Sequence, residues 1–88
     1  MPKKRIEDID LEYLERYSCK MLDRVSQNVI KYRKQRGFSQ MDLAKAIGFK
    51  SAAYLGKAEI RKDNHHFNIN QIAKISKVLN IDIESFFK

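Results

Sequence analysis

The chain is predicted to be all-α. Its 88 residues hold only three Gly and one Pro, its apolar residues recur at three- and four-residue intervals, and each recurring stretch is bounded by helix-capping residues. Period-two alternation is missing and β-branched runs, which also mark strands, are few. A single domain fits the length, because a core this small hides only about 60 to 65% of the unfolded surface. The expected architecture is five helices over residues 21–88, preceded by an additional N-terminal helical segment over residues 1–20.

Asp10 can cap a helix that carries Leu11, Leu14 and Tyr17 toward Met21 and runs on into the first main helix. From Met21 to Arg36, the positions Met21, Leu22, Val25, Val29, Ile30 and Tyr32 form an apolar stripe, and Gly37 ends it. Ser39 offers an N-cap hydroxyl with Asp42 three residues on. Leu43, Ala44 and Ile47 then give a helix of barely two turns that Gly48 stops. After Gly48-Phe49-Lys50, Ser51 caps a third helix to about Glu59, with Leu55 and Ala58 inward. Residues 60–68 are polar and read as a loop, and Asn68 or Asn70 caps a fourth helix with Ile72, Ala73, Ile75, Ser76 and Leu79 as its inner stripe. Asn80 ends that helix in the left-handed conformation. Asp82 caps a last turn, in which Ile83, Phe86 and Phe87 close the core.

The net charge is +7. In residues 1–20 the bases Lys3, Lys4, Arg5, Arg16 and Lys20 balance Glu7, Asp8, Asp10, Glu12 and Glu15, so the whole excess lies in residues 21–88. A compact basic domain attracts polyanions, either nucleic acid or an anionic membrane surface. No apolar run approaches the roughly 18 residues that span a bilayer, and no secretory leader is visible, so the expected location is the cytoplasm. The basic residues are spread over several short capped helices, unlike the single long amphipathic face of a membrane-surface helix. Cys19 has no partner for an intrachain disulfide, which fits a reducing compartment.

Two short helices joined by a tight Gly-containing turn cross steeply and leave the second projecting as a ridge. Such a ridge fits the B-DNA major groove, about 12 Å wide. Ala44 is small where the helices cross, Gly48 can adopt the positive φ of the turn, and Leu55 and Ala58 anchor the second helix.

The stretch Ser39-Gln40-Met41-Asp42-Leu43-Ala44-Lys45-Ala46-Ile47-Gly48 follows Ile30-Lys31-Tyr32-Arg33 and precedes Ile72-Ala73-Lys74-Ile75-Ser76-Lys77-Val78-Leu79. With the closing Phe pair, this order and spacing resemble the lambda-repressor/Cro-like (XRE) helix-turn-helix family. The resemblance covers roughly residues 21–88. It implies a five-helix lambda-repressor-like DNA-binding domain that usually binds palindromic operators as a dimer and regulates transcription. Relative to the common family pattern, the span from Gly48 to Glu59 is one residue longer, with the extra residue around Lys50.

The third helix shows Ser51, Ala52, Ala53, Tyr54, Gly56 and Lys57 outward and lacks the Arg, Asn and Gln best suited to bidentate base reading. Base contacts are expected from Lys50, Ser51, Ala52, Ala53 and Lys57, the two alanines against thymine methyls, with DNA shape carrying much of the discrimination. Backbone contacts are expected from Arg33, Ser39, Gln40, Tyr54, Arg61, Lys62, Asn64 and His65. The role of Gln40 is implied by the resemblance, and free helix N-terminal N–H groups add to it. Tyr54 has a second reading, packing against the helix's first turn. Lys31, Lys34 and Arg36 read as a solvated face.

His65 and His66 lack the spacing of a metal site, no cofactor is implied, and no nucleophile motif, phosphate loop or paired-carboxylate setting points to an enzyme. The leading expectation is a sequence-specific regulator of transcription, a repressor, bound to double-stranded DNA as a homodimer. The alternative is an antitoxin-type interaction module that masks a protein partner and binds DNA for autoregulation. Residues 1–20, with their Leu/Tyr face, are expected to extend the core or build a dimer interface.

Overall fold

The computed structural model describes residues 9–88; Lys3, Lys4, Arg5 and the rest of residues 1–8, the start of the expected N-terminal segment, lie outside the described residues. Four α-helices, α1 (Leu11–Gln35), α2 (Gln40–Ile47), α3 (Ala52–Glu59) and α4 (Ile69–Leu79), are joined by short turns. A 3-10 turn at Lys62–Asn64 and a 3-10 helix at Ile83–Phe87 complete the chain, with no strand among the described residues. The fold is all-α as expected, and the count differs from five: the closing element is a 3-10 helix.

Asp10 caps α1 through its carboxylate, which accepts the Tyr13 N–H at 3.2 Å. The helix then runs through residues 20 and 21 unbroken, 25 residues in all, or about 37 Å. Its buried residues, Val25, Ser26, Val29 and Arg33, lie in its second half. The first half projects from the core, which accounts for a molecule 47 Å long but only 28 by 19 Å across. Leu11 and Tyr17 are 73% and 56% exposed. The Leu/Tyr face of this segment therefore does not extend the core.

Three helices end in the same way, for a local reason. Gly37 (φ 76°), Gly48 (φ 82°) and Asn80 (φ 55°) take the left-handed conformation, which turns the next residue's N–H back onto the last helical turn. Phe38 donates to the Arg33 carbonyl at 3.0 Å, Phe49 to Ala44 at 2.8 Å and Ile81 to Ser76 at 3.1 Å. All three donors are apolar and pack against the core, so each helix stop also adds a core side chain.

Leu43, Leu55, Ile75 and Phe86 are fully buried at the centre, with Val29, Ile72 and Leu79 around them. Phe86 meets Tyr32 edge to face at 5.3 Å, and its carbonyl accepts from Asn28 Nδ2 at 2.8 Å, tying the chain's end to α1. Phe67 is also buried, at 3% exposure, although its segment reads as a polar loop. On α4, Asn68 is the cap, in a reciprocal pair with Gln71, whereas Ala73 is exposed and outside the inner stripe. The side chain of Asp82 makes no capping bond; the final 3-10 helix is held by its carbonyl, which accepts the Ser85 N–H at 2.9 Å, and by the burial of Phe86.

Candidate nucleic-acid interface

The pair α2 and α3 is built from its caps inward. The Ser39 hydroxyl accepts the Asp42 N–H at 3.0 Å while the Asp42 carboxylate accepts the Ser39 N–H at 3.1 Å, a closed capping box. The backbone N–H of Ser39, and then its side chain, hold the Asp42 carboxyl below its ordinary value of 3.8. Ala44, 2% exposed, lets the two helices approach where they cross. Gly48 then reverses the chain and Ser51 caps α3, accepting the Tyr54 N–H at 3.3 Å.

On α3, Leu55 and Ala58 are buried and anchor the helix, leaving Ala53, Tyr54 and Lys57 exposed, with Lys50 and Ser51 exposed just before it and Ala52 and Gly56 half-buried. The first-turn N–H groups of α3 open on this same end, where they are the helix's natural anion-facing groups. Glu59 is the only acidic residue of α3, and it is turned inward. Its carboxylate accepts Arg33 Nε at 2.7 Å and Nη2 at 3.3 Å, and Gln40 Nε2 at 2.8 Å. The exposed side of α3 consequently carries Lys57 and no carboxylate.

A helix-turn-helix family model matches residues 29–86, from within the second half of α1 into the closing 3-10 helix. The chain belongs to the lambda-repressor/Cro-like (XRE) helix-turn-helix family. This is a family of DNA-binding regulatory domains. No curated protein and no solved structure matches the chain. No described helix is long and apolar enough to cross a membrane.

Within this helix-turn-helix, the sequence-predicted contact residues divide into those left free and those committed to the fold. Lys50, Ser51, Ala53, Lys57, Lys62 and Asn64 are exposed. Arg33 is not available to a phosphate: it is 7% exposed, and besides Glu59 its guanidinium donates from Nη1 to the Phe38 carbonyl at 2.9 Å. The stripe of α1 ends on this arginine, so its charge is met by a counterion inside the domain. Gln40 has one amide N–H committed to Glu59. Arg61 is drawn toward α1, with Nε on Asp23 Oδ1 at 3.0 Å and Nη1 on the His65 carbonyl at 3.4 Å, and its own backbone is left-handed. Ser39 and Ser51 each use an acceptor lone pair on a cap.

Tyr54 shows 49% of its surface and packs on residues outside α3 and not on the helix's first turn. Its ring lies edge-on between Phe49 at 5.3 Å and His65 at 5.6 Å. His65 directs Nδ1 to the Lys62 carbonyl at 2.8 Å and His66 directs its Nδ1 to the Asn64 carbonyl at 3.3 Å, so both rings are tied to the loop backbone. Arg36, read as part of a solvated face, reaches across to the end of α4 and donates to the Leu79 and Asn80 carbonyls at 2.8 and 3.1 Å.

Three of these roles were missed in the sequence. Glu59 carried a usable signal, since it lies four residues after Leu55 on the inward stripe of α3, as Arg33 lies four after Val29 on that of α1. Opposite charges at two inward positions imply a buried pair. Phe49 reads in sequence only as part of a turn, and Arg36 offers no local signal because its acceptors lie at the end of another helix.

Proposed function

We propose that this domain is a sequence-specific transcriptional repressor that works as a homodimer in the cytoplasm, inserting α3 into the major groove of double-stranded DNA. The observation that supports this best is the α3 end of the helix-turn-helix: free N–H groups, Lys50 and Lys57 exposed, and the only carboxylate of the helix turned inward onto Arg33. Residues 21–88 form the DNA-binding domain in this reading, and residues 1–20 are its N-terminal extension.

Base edges are met by Lys50, Ser51, Ala52, Ala53 and Lys57, with the alanines against thymine methyls. The duplex backbone is met by Gln40 and the N-terminus of α2 on one side, and by Tyr54, Lys62, Asn64 and His65 on the other. Arg61 approaches the phosphates as part of its pair with Asp23. With few bidentate donors, groove width and deformability supply much of the selectivity. Repression follows from occupancy of the operator.

Selection of bound duplexes from a random pool, followed by weighing the complex, tests this reading. The expected result is a palindromic motif with half-sites one helical turn, about 34 Å, apart, bound by two copies. Lys57→Ala should weaken binding to the selected site and flatten its salt dependence. No enrichment of any sequence, or binding indifferent to salt, overturns it.

A further inference from the structure

We infer that the outer side of α1 is a second DNA-binding surface, which lies along the phosphate backbone of the duplex flanking the half-site met by α3. The inference extends the DNA reading proposed above and rests on it.

Lys20, Arg24, Gln27, Lys31 and Lys34 follow one another at spacings of four, three, four and three residues, which sets them in one row along a helix. All five are exposed, and the row lies opposite the buried positions Val25, Ser26, Val29 and Arg33. The same spacing continues through Tyr17 and Tyr13, which are 56% and 55% exposed with ring centroids 6.3 Å apart. From Tyr13 to Lys34 the row is about 31 Å long, and its four bases span about 21 Å of that.

No position of the row is acidic. Asp23, at its flank, is held by Arg61 at 3.0 Å. Glu12 precedes the basic part and lies 3.9 Å from Arg16, and Glu15 falls well round the helix. A solvated helix face ordinarily mixes the two signs, because opposite charges three or four residues apart attract and like ones repel. Here Lys20 stands four residues from Arg24 and Lys31 three from Lys34, with no acidic position in the row to offset them. Lys31 leans over the Tyr32 ring at 5.2 Å, a contact that keeps its charge.

Chemistry selects the occupant. The row contains no aliphatic residue, so it lacks the apolar anchors of a protein interface, whose core excludes lysine, and the apolar face of a membrane-surface helix. A duplex suits it: each strand presents a phosphate about every 3.4 Å of axis, so the basic part passes about six on the nearer strand. Lys, Arg, Gln and Tyr all donate to phosphate oxygens. Position agrees. The Arg61–Asp23 pair fastens the loop of Lys62 and Asn64 to α1 beside Lys20 and Arg24. The row thus adjoins the backbone contacts proposed for that loop, and Tyr17 and Tyr13 carry it onto the projecting half of α1. Contacts of this kind read no bases and are independent of flanking sequence.

Fluorescence anisotropy with the full chain tests this, on a duplex holding one selected half-site and on the same duplex lengthened by about ten base pairs of randomised sequence at each end. The expected result is at least about tenfold tighter binding of the longer duplex at low salt, an advantage that fades as salt rises. Lys20→Gln with Arg24→Gln, or Lys31→Gln with Lys34→Gln, should remove most of that advantage. Both pairs are exposed, so the variants keep the parent's helix content and unfolding midpoint. Lys74→Gln with Lys77→Gln, which removes the same charge from the exposed side of α4, should retain the advantage. Equal binding of the two duplexes, an advantage indifferent to the α1 variants, or an equal loss in the α4 variant overturns the inference. Binding of single-stranded RNA, an acidic peptide or anionic vesicles that depends on the row, with no effect of the flanks, does so too. A short duplex left unbound overturns the DNA reading itself, whereas a bound short duplex that gains nothing from its flanks overturns this inference alone.

Discussion

Arg33 and Glu59, 26 residues apart in the chain, form an ion pair of 2.7 Å whose side chains are 9% and 2% exposed. The pair joins α1 to the last turn of α3, and Gln40 at the start of α2 donates to the same carboxylate. Three helices are thus oriented through one buried group, and the angle at which α3 leaves the domain depends on it. Removing one partner strands the other charge in a low-dielectric setting, so Arg33→Met or Glu59→Leu should each lower stability by about 3–5 kcal/mol, and the double variant should lose much less than the sum. Denaturant unfolding of the four proteins checks this. At a temperature where Arg33→Met remains folded, its salt dependence of DNA binding should equal the parent's, because Arg33 neutralises Glu59 and no phosphate.

Two glycines predict opposite outcomes of the same substitution. Gly48 has φ 82° at the end of α2, where added bulk would meet nothing within 4 Å; the penalty of Gly48→Ala is purely conformational, about 1 kcal/mol. Gly56 lies within α3, and a Cβ there would touch the Gln40 amide at an ordinary 3.4 Å. Gly56→Ala should therefore stabilise by about 0.5–1 kcal/mol, since glycine weakens a helix interior. Thermal unfolding of the two variants should move the midpoint in opposite directions.

The capping box gives a pH dependence with a definite sign. Asp42 titrates below its ordinary 3.8 because the N–H of Ser39 and then its side chain favour the charged carboxylate. A depressed folded value means that the contribution is complete above the unfolded value and is lost as pH falls through the folded one. Unfolding midpoints followed from neutral to strongly acidic pH should show Asp42→Asn with a shallower acid limb than the parent, and Ser39→Ala likewise. Identical acid limbs would place the box's contribution elsewhere.

The family match ends inside the 3-10 helix at residue 86, where Phe86 is buried and its carbonyl accepts from Asn28, with Ile83 and Phe87 packed against the core on either side.

What the sequence determined by itself is the local architecture. The caps at Asp10, Ser39, Ser51 and Asn68 bond to a backbone group three residues on, and the left-handed stops at Gly37, Gly48 and Asn80 concern one φ each. Such interactions are settled within a turn of chain, and the helix-turn-helix pattern is made of them. What only the tertiary structure decided are the partners of charged and isolated apolar groups. Arg33 finds Glu59, Arg36 finds Leu79 across 43 residues, Arg61 finds Asp23 across 38, and Phe67 enters the core from a polar loop. A guanidinium on a helix face looks the same in sequence whether it will meet water, a phosphate or a buried carboxylate. The choice depends on which helix is packed beside it, and that is fixed by the assembled core.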